Sequence, residues 1–163
     1  MSRRDQIIMT ADEVSTYLEN KLTIVINSIG RDGVPHPAPM WFAVEDDGTI
    51  VMTTFTKSQK IQNLKRDPRV TLLLEDGTVY AELRGVIFHG VAELEEDVDA
   101  VVAILAAIGR RDSGGGGETS GVASALSEAE QAGLRAQAVK RTAMRIRPTK
   151  VVSWDHRKLG GVY

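Results

Sequence analysis

The 163-residue chain contains no cysteine, which excludes disulfides, thiolate nucleophiles and cysteine-ligated zinc or iron-sulfur centres. It has no apolar run near the ~20 residues of a membrane span, and its start, MSRRDQIIMTADEV, carries no apolar stretch of signal-peptide length. The expectation is a soluble, unprocessed, cytoplasmic protein with no membrane partner. A net charge of −2 gives no general attraction to nucleic acid, so any anion-binding surface has to arise from local clustering. No GKS or GKT phosphate loop is present, and the glycine run at 114–117 precedes no strand-to-helix junction. GxSxG is missing, and His36, His89 and His156 lack the spacing and neighbouring acids of a metal site. Neither a metal nor a catalytic side chain is assigned, and no internal repeat is visible. With 42% hydrophobic content, one domain over 1–163 is expected.

What is present reads as a strand-rich chain with inserted helices. Thr10 and Glu13 fit a capping box for a short helix that ends near Asn20. LTIVINS is β-branched and apolar, and RDG signals a hairpin into VPHPAPMWFAV. Prolines 35, 37 and 39 remove ladder donors, so that strand has to lie at an edge or be irregular, with backbone groups free to face a ligand. TIVMTT is a third strand, KSQKIQNLKR a helix stopped by Asp67-Pro68, and RVTLLLE and TVYAELRGVIFHGVAEL two further strands with a bulge expected at Gly85. Val98, Val101, Val102, Leu105 and Ile108 make a helical stripe ending at Gly109, and 110–121 reads as a flexible Gly-rich loop. Ser127 and Glu130 open another helix, and TAMRIRPTKVVSW returns as a strand. About six antiparallel strands with two or three helices suggest a β-barrel, whose closure removes exposed edges.

One turn stands out by charge. Thr53 to Arg66 holds Lys57, Lys60, Lys65 and Arg66 and no acid, so it carries +4 while the rest of the chain carries −6. Lys57 and Lys60 fall at a helix start, where the macrodipole favours acids. Free N–H groups, the hydroxyls of Thr53, Thr54, Thr56 and Ser58, and two ammonium groups make a phosphate cradle. The plain alternative is a solvated helix with Ser58 or Thr56 as its N-cap.

The order of strand, proline strand with Pro39-Met40-Trp41, and TIVMTTFTKSQKIQNLKRDPRVTLLLE resembles the pyridoxamine-phosphate-oxidase-like family of split β-barrel flavoproteins. Thr54, Ser58 and Lys60 meet that family's phosphate signature, and SWDHRKLGG resembles the ending of its actinobacterial branch that uses the deazaflavin F420. The resemblance implies a homodimer with the cofactor between two chains. Ala38, Met40, Met52 and Thr53 would then line the cofactor ring, with Thr54, Lys57, Ser58 and Lys60 on its phosphate and Trp154, Arg157 and Lys158 reaching over from the partner chain. His36 and Pro37 would line the substrate side. Surface cations such as Lys57, Lys65 or Arg66 suit the acidic tail of F420. The arginine-rich motifs of the vitamin-forming oxidases have no counterpart here. An F420H2-dependent reductase acting on a conjugated small molecule is therefore implied, with an FMN-dependent oxidase or reductase and a non-catalytic flavin or deazaflavin carrier as alternatives.

Overall fold

The computed structural model describes residues 2–112 and 127–160. Seven strands, β1 (Thr23–Ile29), β2 (Pro35–Trp41), β3 (Ala43–Val44), β4 (Ile50–Phe55), β5 (Arg69–Asp76), β6 (Arg84–Glu95) and β7 (Arg141–Asp155), form one antiparallel sheet in the order β2-β1-β5-β6-β7-β4-β3. Its two edge strands, β2 and β3, are consecutive in the chain and separated by Phe42 alone. The sheet therefore has to curl until its edges meet, and β2 comes to lie against β4. This is a split β-barrel, as the family resemblance implied; the strand pattern alone suggested about six strands and closure without exposed edges, whereas seven are present and β2 and β3 remain as edges.

Alternation of side chains makes both layers of the core. Ile24, Ile26, Ile50, Met52, Leu72 and Met144 fill the barrel and are at most 1% exposed. Burying each contributes ~1.5–3 kcal/mol. Val51, Ala43 and Ala143 point the other way, under α4 (Val98–Asp112) and α5 (Glu128–Ala138). Strand β4 is thus buried on both faces over most of its length.

Helix α1 (Arg3–Gln6) leads into α2 (Ala11–Glu19), whose Tyr17 and Leu18 enter the barrel core. Helix α3 (Gln59–Arg66) inserts Ile61 and Leu64 into the same core. The expected capping boxes at Thr10/Glu13 and Ser127/Glu130 are both formed.

Three expectations need correction. Gly85 does not mark a bulge; the register slips between His89 and Gly90, where Thr149 is the extra residue on β7. Gly85 is small for another reason: it lies opposite Trp154, whose ring covers it, and a Cβ there would also sit 2.8 Å from the Leu74 carbonyl oxygen. The stripe expected to stop at Gly109 runs on to Asp112, because Arg111 donates to the carbonyls of Leu18 (2.6 Å) and Lys21 (2.7 Å) and ties α4 to the end of α2. Residues 110–112 of the expected loop are therefore helical, and 113–121 lie outside the described residues. The long strand expected from Thr78 begins only at Arg84, after a 3-10 turn at Tyr80–Glu82.

Proline strand β2 is an edge strand with regular pairing to β1 along its whole length, Thr23↔Trp41 through Ile29↔Pro35. Since proline has no N–H, Pro35, Pro37 and Pro39 occupy the pairs whose backbone points away from β1. His36, Ala38 and Met40 make the ladder bonds. Up to Pro39 the free edge of the strand consequently presents carbonyls and no donors.

Candidate functional site

The turn from β4 into α3 is built from residues that leave an anion-shaped deficit of negative charge. Ser58 is the N-cap of α3, yet its hydroxyl makes no capping bond, and Oγ is enclosed with no hydrogen-bond partner. The first turn of the helix contains no acid. The N–H groups of Gln59, Lys60 and Ile61 find no acceptor among the described residues. Lys60 turns back so that Nζ donates to Thr54 Oγ1 at 3.3 Å, and burial pushes its pKa below the ordinary lysine value with no carboxylate to offset it. Thr56 and Thr142 complete the rim, with Oγ1 to Oγ1 at 3.0 Å. An ammonium, free helix N–H groups and an unpartnered hydroxyl are the donor set that a phosphate requires, so the residues fit such a group.

The structure also divides the four cations that the charge count put together. Lys57 and Lys60 lie at the start of α3. Lys65 and Arg66 lie in its last turn, where Lys65 pairs with Glu96 at 2.9 Å and Arg66 donates to the Ile29 carbonyl. These two belong to the helix C-terminus and not to the cradle. Residues missed in the sequence replace them: the start of β7 pairs with the end of β4, bringing in Lys140, Arg141 and Thr142. Arg141 stacks 4.7 Å above the Phe55 ring with Nε enclosed and unpartnered. Among the described residues, Lys57, Lys60, Lys140 and Arg141 enter no ion pair. No local motif announces Arg141; the antiparallel register delivers it.

Strand alternation sorts the expected ring-lining residues. Met52 is fully enclosed in the barrel core, so its side chain is not available to a ligand. Thr53 faces the same side as Val51 and Ala143, toward α4, while Thr54 faces the cradle. Both offer main chain, since β3 covers only Ile50 and Val51 and the edge of β4 beyond them pairs with no strand. Ala38 and Met40 are half-buried against the core, and His36 shares their face with Nδ1 enclosed and unpartnered. Pro37 lies on the opposite face, so its ring does not line the same surface as His36.

Trp154, Arg157 and Lys158 are not beside the cradle in this chain. Trp154 lies twelve positions along β7 from Thr142, which is ~40 Å of extended strand. Arg157 chelates Asp155 (Nε to Oδ1 2.8 Å, Nη2 to Oδ2 2.5 Å) and holds that carboxyl below its ordinary pKa. Lys158 bonds Glu13 Oε2 (2.5 Å) and the Ile8 carbonyl (2.8 Å). A cleft lined by Tyr17, Arg84, Asp155 and Arg157 opens at this end, but its two arginines are paired: Arg84 with Asp76 and Arg157 with Asp155. Among the described residues no helix is long and apolar enough to cross a membrane, and no group of three His, Asp or Glu is placed to hold a metal.

A curled antiparallel barrel whose β4-to-α3 turn carries an unpaired phosphate-type donor set defines the class: a split barrel of the flavin-binding kind. Residues 10–155 match the pyridoxamine 5'-phosphate oxidase family, and the chain belongs to that family. A conserved hypothetical protein of Mycobacterium tuberculosis has the same fold with a TM-score of 0.83 and 37% identity over 100% of this chain and 95% of that one. The fold is shared more distantly with an F420 reductase (TM-score 0.59, 24% identity, 84% of this chain and 94% of that one). It is shared as well with a FAD-binding protein of Mesorhizobium loti (0.61, 15%, 89% and 94%). No curated protein matches the chain.

Proposed function

We propose that the chain is a cytoplasmic F420H2-dependent reductase that works as a homodimer. The carrying observation is the start of α3, where Lys60 is desolvated without a carboxylate and Ser58 Oγ is enclosed without a partner. Both deficits are met by one phosphate. Thr54, Ser58 and Lys60 hold it, Thr56 and Thr142 border it, and Lys57 adds charge from the rim. Backbone along Met52 to Phe55 and along the β2 edge would flank the ring. When bound, the deazaflavin supplies a hydride for a conjugated acceptor; the protein orients the two rings and excludes water.

The dimer is supported by a row of partly exposed residues on one sheet face, over which no helix packs among the described residues. Pairing aligns Pro39, Val25, Leu73, Ile87 and Val152 across five strands, all incompletely buried. Pairing this row with its copy removes apolar surface from water. A two-fold contact also allows Trp154 of one chain to approach the cradle of the other, which a single chain does not permit.

The test is to titrate the ligand-free protein with F420 and, separately, FMN, following fluorescence polarisation, and to determine mass in solution. F420 binding with a dimer mass supports the reading. Preference for FMN converts it to an FMN enzyme, and binding of neither overturns it. Loss of F420H2 absorbance with quinones, nitro compounds or tetrapyrroles then separates a reductase from a carrier.

A further inference from the structure

Two side-chain hydrogen bonds run from the first turn of α3 inward to a buried serine that lies opposite a histidine which the cradle itself does not use. Gln59, the first residue of α3 and flanked by Ser58 and Lys60, donates from Nε2 to Asn63 Oδ1 at 2.9 Å. Asn63 donates from Nδ2 to Ser28 Oγ at 3.0 Å. Asn63 and Ser28 are both 0% exposed. Burying an amide and a hydroxyl costs free energy unless they are bonded, and here the bonds join helix α3 to strand β1. Ser28 is paired directly with His36 across the β1–β2 ladder, and the two side chains are cross-strand neighbours on the same face, with no hydrogen bond between them. Having accepted from Asn63, the Ser28 hydroxyl keeps a second lone pair to accept from a protonated ring and its own proton to donate to a neutral one. His36 Nδ1 is enclosed and has no partner. The other two imidazoles differ: His156 Nδ1 contacts the Tyr80 carbonyl at 3.0 Å, and His89 lies out on the central strands, opposite Thr71 and Lys150.

We infer that His36 is the proton donor to the acceptor, with Ser28, Asn63 and Gln59 as positioning residues that report occupancy of the cradle to it. The inference rests on the reductase reading. Hydride transfer from the reduced deazaflavin to an electron-poor double bond forms one C–H bond and leaves a negative charge on the acceptor. The protonated, imidazolium form of His36 gives an N–H proton to the acceptor and is left as the neutral ring, which regains a proton from water. Imidazole suits this role because it exchanges protons near neutral pH, unlike the Thr54, Thr142 and Ser28 hydroxyls.

The test uses the full chain labelled with 15N, with His36 assigned from His36→Gln, and inorganic phosphate as the probe. Phosphate is expected to shift the amides of Ser58 and Lys60 and the His36 ring nitrogens with one shared midpoint. In Ser28→Ala the amide shifts persist and the ring shift falls severalfold; Asn63→Ser gives the same result where it folds, and unchanged His89 and His156 signals report folding. Amides that move while the His36 ring stays still overturn the relay and leave the cradle standing. If neither moves, the cradle reading fails and this inference with it. In turnover, His36→Gln is expected to lower kcat about 100-fold with cofactor Kd within about threefold. A kcat within about twofold of the parent overturns the donor assignment.

Discussion

Helices α2, α3 and α5 each begin on a hydroxyl residue, and they treat it differently. Thr10 and Ser127 cap their own helices, each in a reciprocal box with a glutamate three residues on. Ser58 caps nothing, and the position that would carry the glutamate holds Ile61, buried in the barrel. Two helix starts are satisfied from within the chain, whereas the third keeps its N–H groups, its hydroxyl and a desolvated ammonium unspent. A helix that neglects its own N-terminus at ~1 kcal/mol has that terminus available for something else.

The sharpest way to break this comparison is Lys60→Met. Losing a charge-assisted bond is expected to weaken cofactor binding by ~1.5–3 kcal/mol, read by titration. The ligand-free protein should melt no lower than the parent, because burial disfavours the ammonium; a clear fall in Tm would mean that Lys60 is structural. Next is the pair Thr10→Ala and Ser58→Ala. The first should cost ~1 kcal/mol in urea unfolding through its lost box. The second should leave ligand-free stability unchanged and weaken cofactor binding by ~1 kcal/mol. Equal stability losses in both would erase the distinction between the two helix starts.

A smaller effect is expected at acid pH, at the α2 end. Lys21 and the Gly77 N–H hold the Asp76 carboxyl down to about 2, from an ordinary value of 3.8. A carboxyl whose pKa is depressed in the folded state contributes stability above its unfolded value and loses it as pH falls toward the folded one. Asp76→Asn should therefore flatten stability between about pH 4 and about pH 2, modestly, because the side chain is 40% exposed. The smallest effect belongs to Lys65→Ala. Its partner Glu96 is solvent-exposed and the pair lies at the far end of α3, so cofactor affinity should stay within about twofold.

Local chemistry was legible in the sequence wherever it acts over a few residues. The two capping boxes and the helix stop at Asp67-Pro68 stand where their spacing put them, and Ser58 and Lys60 fall at the start of α3. Features created by strands meeting from distant segments were not. Gly85 suggested a bulge, but its reason is Trp154, which arrives on β7; the true slip at His89/Gly90 depends on where Pro148 falls opposite. A charge count cannot separate Lys60 from Arg66, though eight residues of helix put them at opposite ends. Arg141 reaches the site through the β4–β7 register alone. Adjacent residues also part company once they join a strand: Thr53 and Thr54, like His36 and Pro37, face opposite ways.

The donor-free edge of β2 has a consequence for the molecule among its neighbours in a crowded cell. A barrel whose sheet does not close by hydrogen bonding keeps edge strands, and unpaired edges seed growth of intermolecular sheets. An incoming chain needs alternating donors and acceptors to add itself, and Pro35, Pro37 and Pro39 offer it acceptors alone. The edge can therefore go unpaired throughout the life of the protein while remaining a poor template for fibres.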